Sequence, residues 1–374
     1  MSTLMRVLKF LLIVEAGVML VIGILVAGSW WSKRAEREFY RQLLAGWVES
    51  PTQENNGNGA TLANTSIPTP VEKPWILTVG GDIMLDRNVR QSIAKRGRTY
   101  PFEAIRSELN GDIVLANLEG PFTDSTKYAV SGGALIFTFD PALAPVLKDV
   151  GFTTLSLANN HTLNYGQAGL DNTRRVLREA GLDFFGDPRN AHGFGIVKTV
   201  AGHRLAFIGY HGLVVGLETI LADIREAKAQ ELFVIVMPHW GAEYQLGIQP
   251  RLQEQAHQLV DAGADLIIGA HPHVVEPIEL YNDKLIFYSL GNFLFDQYFS
   301  EDTLEGLMLQ FTLRANSTDI ELQPIRTTDQ QVRLLTDERR DAMLERLAKD
   351  SAIPTELRTQ IKTGHLSWPL RNGE

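Results

Sequence analysis

The stretch DLIIGAHPHVVEPIELYNDKLIFYSLGNFLFD, Asp265 to Asp296, decides how this chain reads. Asp265 to Ile268 is a short apolar run rich in branched residues, the pattern of a buried strand, and it delivers the chain into Ala270-His271-Pro272-His273. Two histidines therefore follow a strand end directly. In extended backbone, side chains two apart face the same way, and Pro272 disfavours helix at the residue before it. His271 and His273 are expected to converge on one spot. Two imidazoles there repel when protonated, and a shared metal ion is the simplest reason to hold both. The structural alternative is that one caps a turn and the other is exposed.

Four more apolar runs end the same way. Trp75 to Val79 runs into Gly80-Gly81-Asp82, Asp112 to Ala116 into Asn117-Leu118-Glu119, Thr153 to Ala158 into Asn159-Asn160-His161, and Phe233 to Met237 into Pro238-His239. Helical spacing fills the intervals, at Asn88 to Arg98, Pro141 to Val150, Gln167 to Ala180, Glu218 to Lys228 and Pro250 to Ala262. Strands alternating with helices predict an α/β domain with helices packed on a sheet. Further β-rich segments, Gly195 to Thr199, Leu205 to Gly209, Leu285 to Leu290, Leu307 to Arg314 and Asp319 to Thr327, predict a second sheet or antiparallel additions. Thr336 to Lys349 reads as a charged helix packed on the outside.

In such folds the ligand site lies beyond the carboxyl ends of the strands, so the five run ends are expected to meet there. Singly, each residue has a structural reading. Asp82 after two glycines suits a turn or a cap, Glu119 a solvated loop, Asn160 a turn, and His239 a ring stacked beside Trp240. Five donor-bearing ends in one chain favour a metal site instead. The candidate ligands are Asp82, Glu119, Asn160, His239, His271 and His273, a set that suits Mn²⁺, Fe²⁺ or Zn²⁺. Six donors exceed the needs of one tetrahedral ion, so two ions sharing a carboxylate are expected. Two such ions roughly 3.5 to 4 Å apart activate water and clamp an in-line displacement on phosphorus. His161, beside a ligand, is the candidate catalytic residue, donating a proton to the leaving group.

Composition sets the frame. The 374 residues are 44% apolar, ample for a large core, and the net charge of −9 without a basic run outside the N-terminal region argues against nucleic acid. With no cysteine, disulfides, thiolate chemistry and thiolate-bound zinc are excluded. After a short segment at 1–9, Phe10 to Trp31 is an apolar stretch of 22 residues broken only by Glu15, long enough to span a bilayer as an uncleaved anchor. Ala27-Gly28-Ser29 offers a signal-cleavage alternative. A juxtamembrane helix at 32–50 and a flexible linker at 51–74 are expected next, then the folded domain at 75–330 and a helical extension at 331–374.

The motifs GGDIML (Gly80 to Leu85), ANLEGP (Ala116 to Pro121), LANNHTLNYG (Leu157 to Gly166), PHWGAEY (Pro238 to Tyr244), GAHPHV (Gly269 to Val274) and YSLGNFLFDQ (Tyr288 to Gln297) resemble the CapA capsule-synthesis family. That family, also called the poly-γ-glutamate synthesis protein family, is related to calcineurin-like metallophosphoesterases. The resemblance covers about Trp75 to Arg326. It implies a four-layer α-β-β-α sandwich, here preceded by one N-terminal transmembrane helix, with a dinuclear metal centre between strand ends. Asp82 matches the first aspartate, and Glu119 stands where phosphoesterases have the bridging aspartate. Asn160 and His161 match the Asn-His pair, His239 the isolated histidine, and His271 with His273 the final pair. One position departs: phosphoesterases carry a histidine two after the first aspartate, and here it is Met84. Asp86 or Asn159 are the candidates to replace it.

The resemblance further implies a role at the cell envelope, in making or exporting an anionic capsule polymer beside membrane-bound synthase subunits. Basic residues flanking the apolar stretch slightly favour a cytoplasmic C-terminal side, yet the implied role favours a single-pass protein, anchored in membrane lipid, with its domain outside the cytoplasm. Two functions fit: a metal-dependent hydrolase of a phosphoester or polymer bond, and a non-catalytic polymer-binding or assembly subunit of the synthase.

Overall fold

The computed structural model describes residues 74–124, 135–314 and 317–368. The expected N-terminal segment, the anchor at 10–31, the juxtamembrane helix and the linker up to residue 73 lie outside these described residues. Among the described residues no helix is long and apolar enough to cross a membrane.

A first sheet is built around β1 (Trp75–Ile83), which has only one residue, Ile76, short of full burial. It pairs in parallel with β2 (Ile113–Leu118), which leads on to β3 (Thr154–Ser156) and β4 (Asp183–Phe185). On its other side lies antiparallel β12 (Glu305–Leu313), followed by β13 (Thr318–Thr328) and β14 (Gln331–Leu334). Two short strands, β11 (Asn292–Leu294) on β1 and β15 (His365–Trp368) on β13, complete nine. A second, six-stranded sheet runs in the order β5 (Ile196–Val200), β6 (His203–His211), β7 (Phe233–His239), β8 (Leu266–Ile268), β10 (Lys284–Phe287), β9 (Ile278–Tyr281).

The two-residue period of the strands sorts their side chains between cores. In β2, Ile113 and Leu115 enter the core between the sheets, whereas Val114, Ala116 and Leu118 face an outer core. The second sheet does the same: Ile235 and Met237 of β7 face inward, Val234 and Val236 outward. Helices α1 (Arg87–Arg96), α2 (Ala144–Val150) and α3 (Gly166–Glu179) cover the outer face of the first sheet through Val89, Ile93, Leu147, Leu170 and Leu177. Helices α4 (Leu217–Ala229) and α5 (Pro250–Asp261) cover the second through Ile220, Ile224, Ala256 and Leu259. Layering is therefore helix, sheet, sheet, helix.

One expectation holds only in part. The helix read as external, α7 (Glu338–Asp350, after the single turn α6 at Glu301–Leu304), keeps its charged face at the surface but also completes the core. Met343, Leu344, Leu347 and Ala348 join the core between the sheets, with Leu357 and Ile361 of α8 (Thr355–Thr363). Its many charges mask an apolar stripe at spacings of three and four, which buries one face of the helix. The segment also links both sheets at the backbone. Ala352 N donates to Ile278 O at 2.9 Å in the second sheet, and β15 pairs with β13 in the first.

Candidate metal centre

The parallel strands of both sheets end at one place. At the end of β1, Gly81 lets the 288–292 crossing between the sheets press against the strand, because a Cβ there would stand 1.9 Å from Gly291 O. Asp82, next in the chain, is fully buried. Its Oδ1 accepts from Asn117 Nδ2 at 2.7 Å and its Oδ2 from the backbone N of His271 at 3.0 Å. His273 Nδ1 and His239 Nδ1 stand 3.5 and 3.8 Å from the same carboxylate. Burial pushes the Asp82 carboxyl up to about 7, against the pull of the Asn117 and His271 hydrogen bonds.

Glu119 follows β2 and is the most telling residue. Both carboxylate oxygens are buried and neither has a hydrogen-bond partner. Oε1 is instead 3.7 Å from His161 Nε2 and 3.7 Å from His273 Nε2. Burial, then the charges of Asp82 and Glu243, hold its carboxyl well above the usual range, with Arg87 opposing. A buried carboxylate without donors costs several kcal/mol unless a cation compensates it.

The second sheet supplies nitrogen. His239 Nε2 lies 2.8 Å from Asn160 Oδ1 and 3.1 Å from His271 Nδ1, so three donor atoms converge on one point. His273 Nδ1 is engaged by Asn292 Oδ1 at 2.9 Å, which leaves Nε2 for a cation. Burial leads the causes that bring His271 down to about 4, His273 down to about 3 and His239 well below its ordinary value. Neutral imidazoles are the form that binds metal. His271 and His273 do converge, with ring centroids 5.9 Å apart, but not through extended backbone. Their φ angles are +100° and +59°, left-handed values that a β-carbon disfavours and the surrounding fold must hold in place.

Every candidate ligand thus reaches the cluster. One donor atom from each of Asp82, Glu119 and His273 lies within 4.8 Å of the others, beside the Asn160–His239–His271 convergence. His161 sits at the rim with its side chain 12% exposed and its ring 4.2 Å from that of Phe137. Its Nδ1 is 3.1 Å from Asn164 Oδ1, which also accepts from Phe137 N; Nδ1–H is therefore the donor and Nε2 faces Glu119. Burial lowers the His161 pKa.

Neither proposed replacement for the missing histidine is free. Met84 is buried, and its sulfur accepts from Asp86 N at 3.0 Å. Asp86 caps α1, accepting from Arg87 N, Arg90 Nε and Thr138 N at 2.7 to 2.9 Å. Asn159 donates to Asn117 Oδ1 and Leu118 O, and its Oδ1 accepts from His161 N, Thr162 N and Thr162 Oγ1. Both hold the scaffold rather than a ligand position.

Other residues at the site were not anticipated. Asn117 ties Asp82 to Asn159 and stands 3.2 Å from His239 Nδ1. Its place two before Glu119, at the end of the same run, was the available signal. Arg87 forms a buried ion pair with Asp296 and lies 5.0 Å from the Phe137 ring centroid. Nothing local links those two residues, 209 positions apart. His211 ends β6 beside His239, with ring centroids 6.2 Å apart and Nδ1 2.7 Å from Pro188 O. A cleft of about 450 Å³ opens beside Asn160 and His211, walled by Leu163, Leu213, Val214 and Val215.

Residues 76–297 match the model of the family described as bacterial capsule synthesis protein PGA_cap. The capsule biosynthesis protein CapA of Bacillus anthracis is 34% identical over 268 residues, covering 65% of this chain and 65% of that protein. This chain thus spans just under two thirds of that relative's length. The PGA biosynthesis protein CapA of Bacillus subtilis is 31% identical over 315 residues, covering 79% of this chain and 80% of its own. Among solved structures, a Staphylococcus aureus protein assigned as a 5'-nucleotidase superposes with a TM-score of 0.42 at 12% identity, covering 77% of this chain and 58% of that one. That likeness is too slight to build on. The family match over more than half of the chain, with two relatives above 30% identity, shows that the chain belongs to the bacterial capsule synthesis protein family.

Proposed function

We propose that this protein serves capsule synthesis or export at the cell envelope through a divalent metal centre with hydrolase-type chemistry. Its target in this reading is a phosphoester or a bond in a poly-γ-glutamate-type polymer. The observation that carries the reading is Glu119, a buried carboxylate with no hydrogen-bond donor, ringed by Asp82, His161 and His273. Beyond a proton shared with Asp82, no donor among the described residues is placed to compensate that charge, and a cation would. Asp82, Glu119 and His273 would hold one ion, and Asn160, His239 and His271 a second. Mn²⁺, Fe²⁺ and Zn²⁺ all accept such nitrogen and oxygen donors. When bound, such ions supply Lewis-acid polarisation of a phosphoryl or acyl oxygen. His161 directs Nε2 towards the cluster, where that nitrogen takes or gives the proton of a leaving group.

In the same reading the stretch at 10–31 anchors the protein in membrane lipid with the domain outside the cytoplasm. The partners are membrane subunits of the synthase and an anionic polymer, not nucleic acid. Met84 favours a second reading, in which the centre only grips the polymer. Elemental analysis of the full chain and of a His271→Ala, His273→Ala double variant tests the metal. Bound metal in the parent and none in the variant supports the centre; none in either ends it. Loss of turnover in His161→Ala with metal retained supports the hydrolase over the gripping subunit.

A further inference from the structure

The loop after β7 returns across the centre. Trp240 N donates to Ala270 O at 3.1 Å and Tyr244 N to Pro272 O at 2.8 Å, so residues 240–244 run along the His271-Pro272-His273 turn. The Tyr244 ring stacks on His273, centroids 5.9 Å apart at 26°, and its hydroxyl accepts from Gln297 Nε2 at 3.1 Å. Gly241 and Tyr244 take left-handed φ angles of +83° and +64°, which bend the loop into this path. The geometry delivers Glu243 to the rim of the site. One donor atom each from Glu243, His271 and His273 lies within 4.8 Å of the others, and His273 also belongs to the Asp82–Glu119 set.

We propose that Glu243 is a metal ligand, an exposed carboxylate that closes over the centre where its two ion positions meet, against His273 of the one and His271 of the other, and supplies the donor that Met84 lacks. This rests on the metal centre argued above. Two features support it beyond proximity. Asp86 and Asn159, the neighbouring oxygen donors, are saturated by scaffold hydrogen bonds. Glu119 leaves two buried oxygens unpartnered in the same place. Because Glu243 is exposed, its removal takes nothing from the core.

The test is Mn²⁺ binding to the detergent-solubilised full chain, followed by elemental analysis and electron paramagnetic resonance. The parent is expected to bind two ions with an exchange-coupled spectrum. Glu243→Gln should keep one tight ion, weaken the other at least tenfold, and show the spectrum of isolated Mn²⁺. The weakening should persist at about 0.5 M KCl, where a merely electrostatic role would fade. Two ions with unchanged affinity in Glu243→Gln would overturn the assignment and leave the centre standing. So would one ion in parent and variant alike, or a weakening that salt abolishes. No Mn²⁺ in the parent would overturn both the assignment and the centre.

Discussion

The two halves of the centre are chemically unlike. The first sheet contributes oxygen, with the Asp82 carboxylate steadied by the amide of Asn117, which Asn159 holds in turn, and the Glu119 carboxylate left without a partner. The second sheet and the turn that follows it contribute nitrogen, from His239, His271 and His273. Alone, the oxygen half is a pair of buried acids that repel, and the nitrogen half is a set of buried imidazoles that cannot hold charge. Each half is poor protein and good ligand. Their difference marks the seam between the sheets as the place where, in the proposed reading, cations would answer both.

Breaking the oxygen half has the largest expected effect. Asp82→Asn keeps the shape but removes the anion, and should lower metal affinity more than 100-fold, beyond the 10–100-fold typical of residues that only support a ligand. Titration of the metal-stripped full chain with Mn²⁺ measures it. Affinity within tenfold of the parent would show that the nitrogen half binds alone. The seam itself depends on the C-terminal clamp, because Leu347 lies in the core between sheets that Ala352 and β15 tie together. Leu347→Ala should destabilise by about 2–5 kcal/mol in denaturant titration. A cost below about 1 kcal/mol would mean that the sheets hold together without α7.

Much of this was legible because apolar runs ended in donors, and parallel strands bring such ends together. Asp82, Glu119, Asn160, His239, His271 and His273 all reach the cluster for that reason. What stayed hidden was set by tertiary contacts. The turn at His271 and His273 is left-handed, although Pro272 suggests extended chain, because the backbone N of His271 is drawn to Asp82 Oδ2. Asn292–Leu294 is too short to announce itself as a strand and pairs with β1 across the seam. In α7 the charged residues outnumber the apolar ones that decide its position. Glu243 sits in a motif whose histidine drew the attention, and only the path of the loop shows where its carboxylate goes.

A second buried glutamate sharpens the contrast with Glu119. Glu276, three residues past His273, is also buried with an unpartnered oxygen, Oε2, but the metal-type donor groups do not include it. Burial alone pushes its carboxyl up to about 8 from 4.5. Between those values the folded state holds a proton that the unfolded chain has released, so stability falls as pH rises from about 4.5 to about 8 and levels off above. Glu276→Gln removes that slope. With chelator present, the variant should match the parent near pH 4 and exceed it at pH 7 by about 3 kcal/mol, from roughly 1.4 kcal/mol per pH unit. A stability gap that does not grow across this window would show that Glu276 is compensated after all.

The smallest expected effect tests how the nitrogen half is aimed. Asn292 holds His273 Nδ1 through Oδ1 while its Nδ2 donates to Gln297 Oε1 at 3.0 Å and Thr303 O at 2.8 Å. It is the residue that fixes which His273 nitrogen faces Glu119. Asn292→Ala should therefore lower Mn²⁺ affinity by about 10–100-fold, the usual cost of losing a partner behind a ligating histidine. Asn292→Asp keeps an acceptor for Nδ1–H, and should retain more of the affinity than Asn292→Ala, though the lost Nδ2 donor still leaves Gln297 and Thr303 short. If both variants lose equally, the contact to His273 does not set its aim. The difference between them isolates the one hydrogen bond that turns a buried imidazole of the second sheet towards the carboxylates of the first.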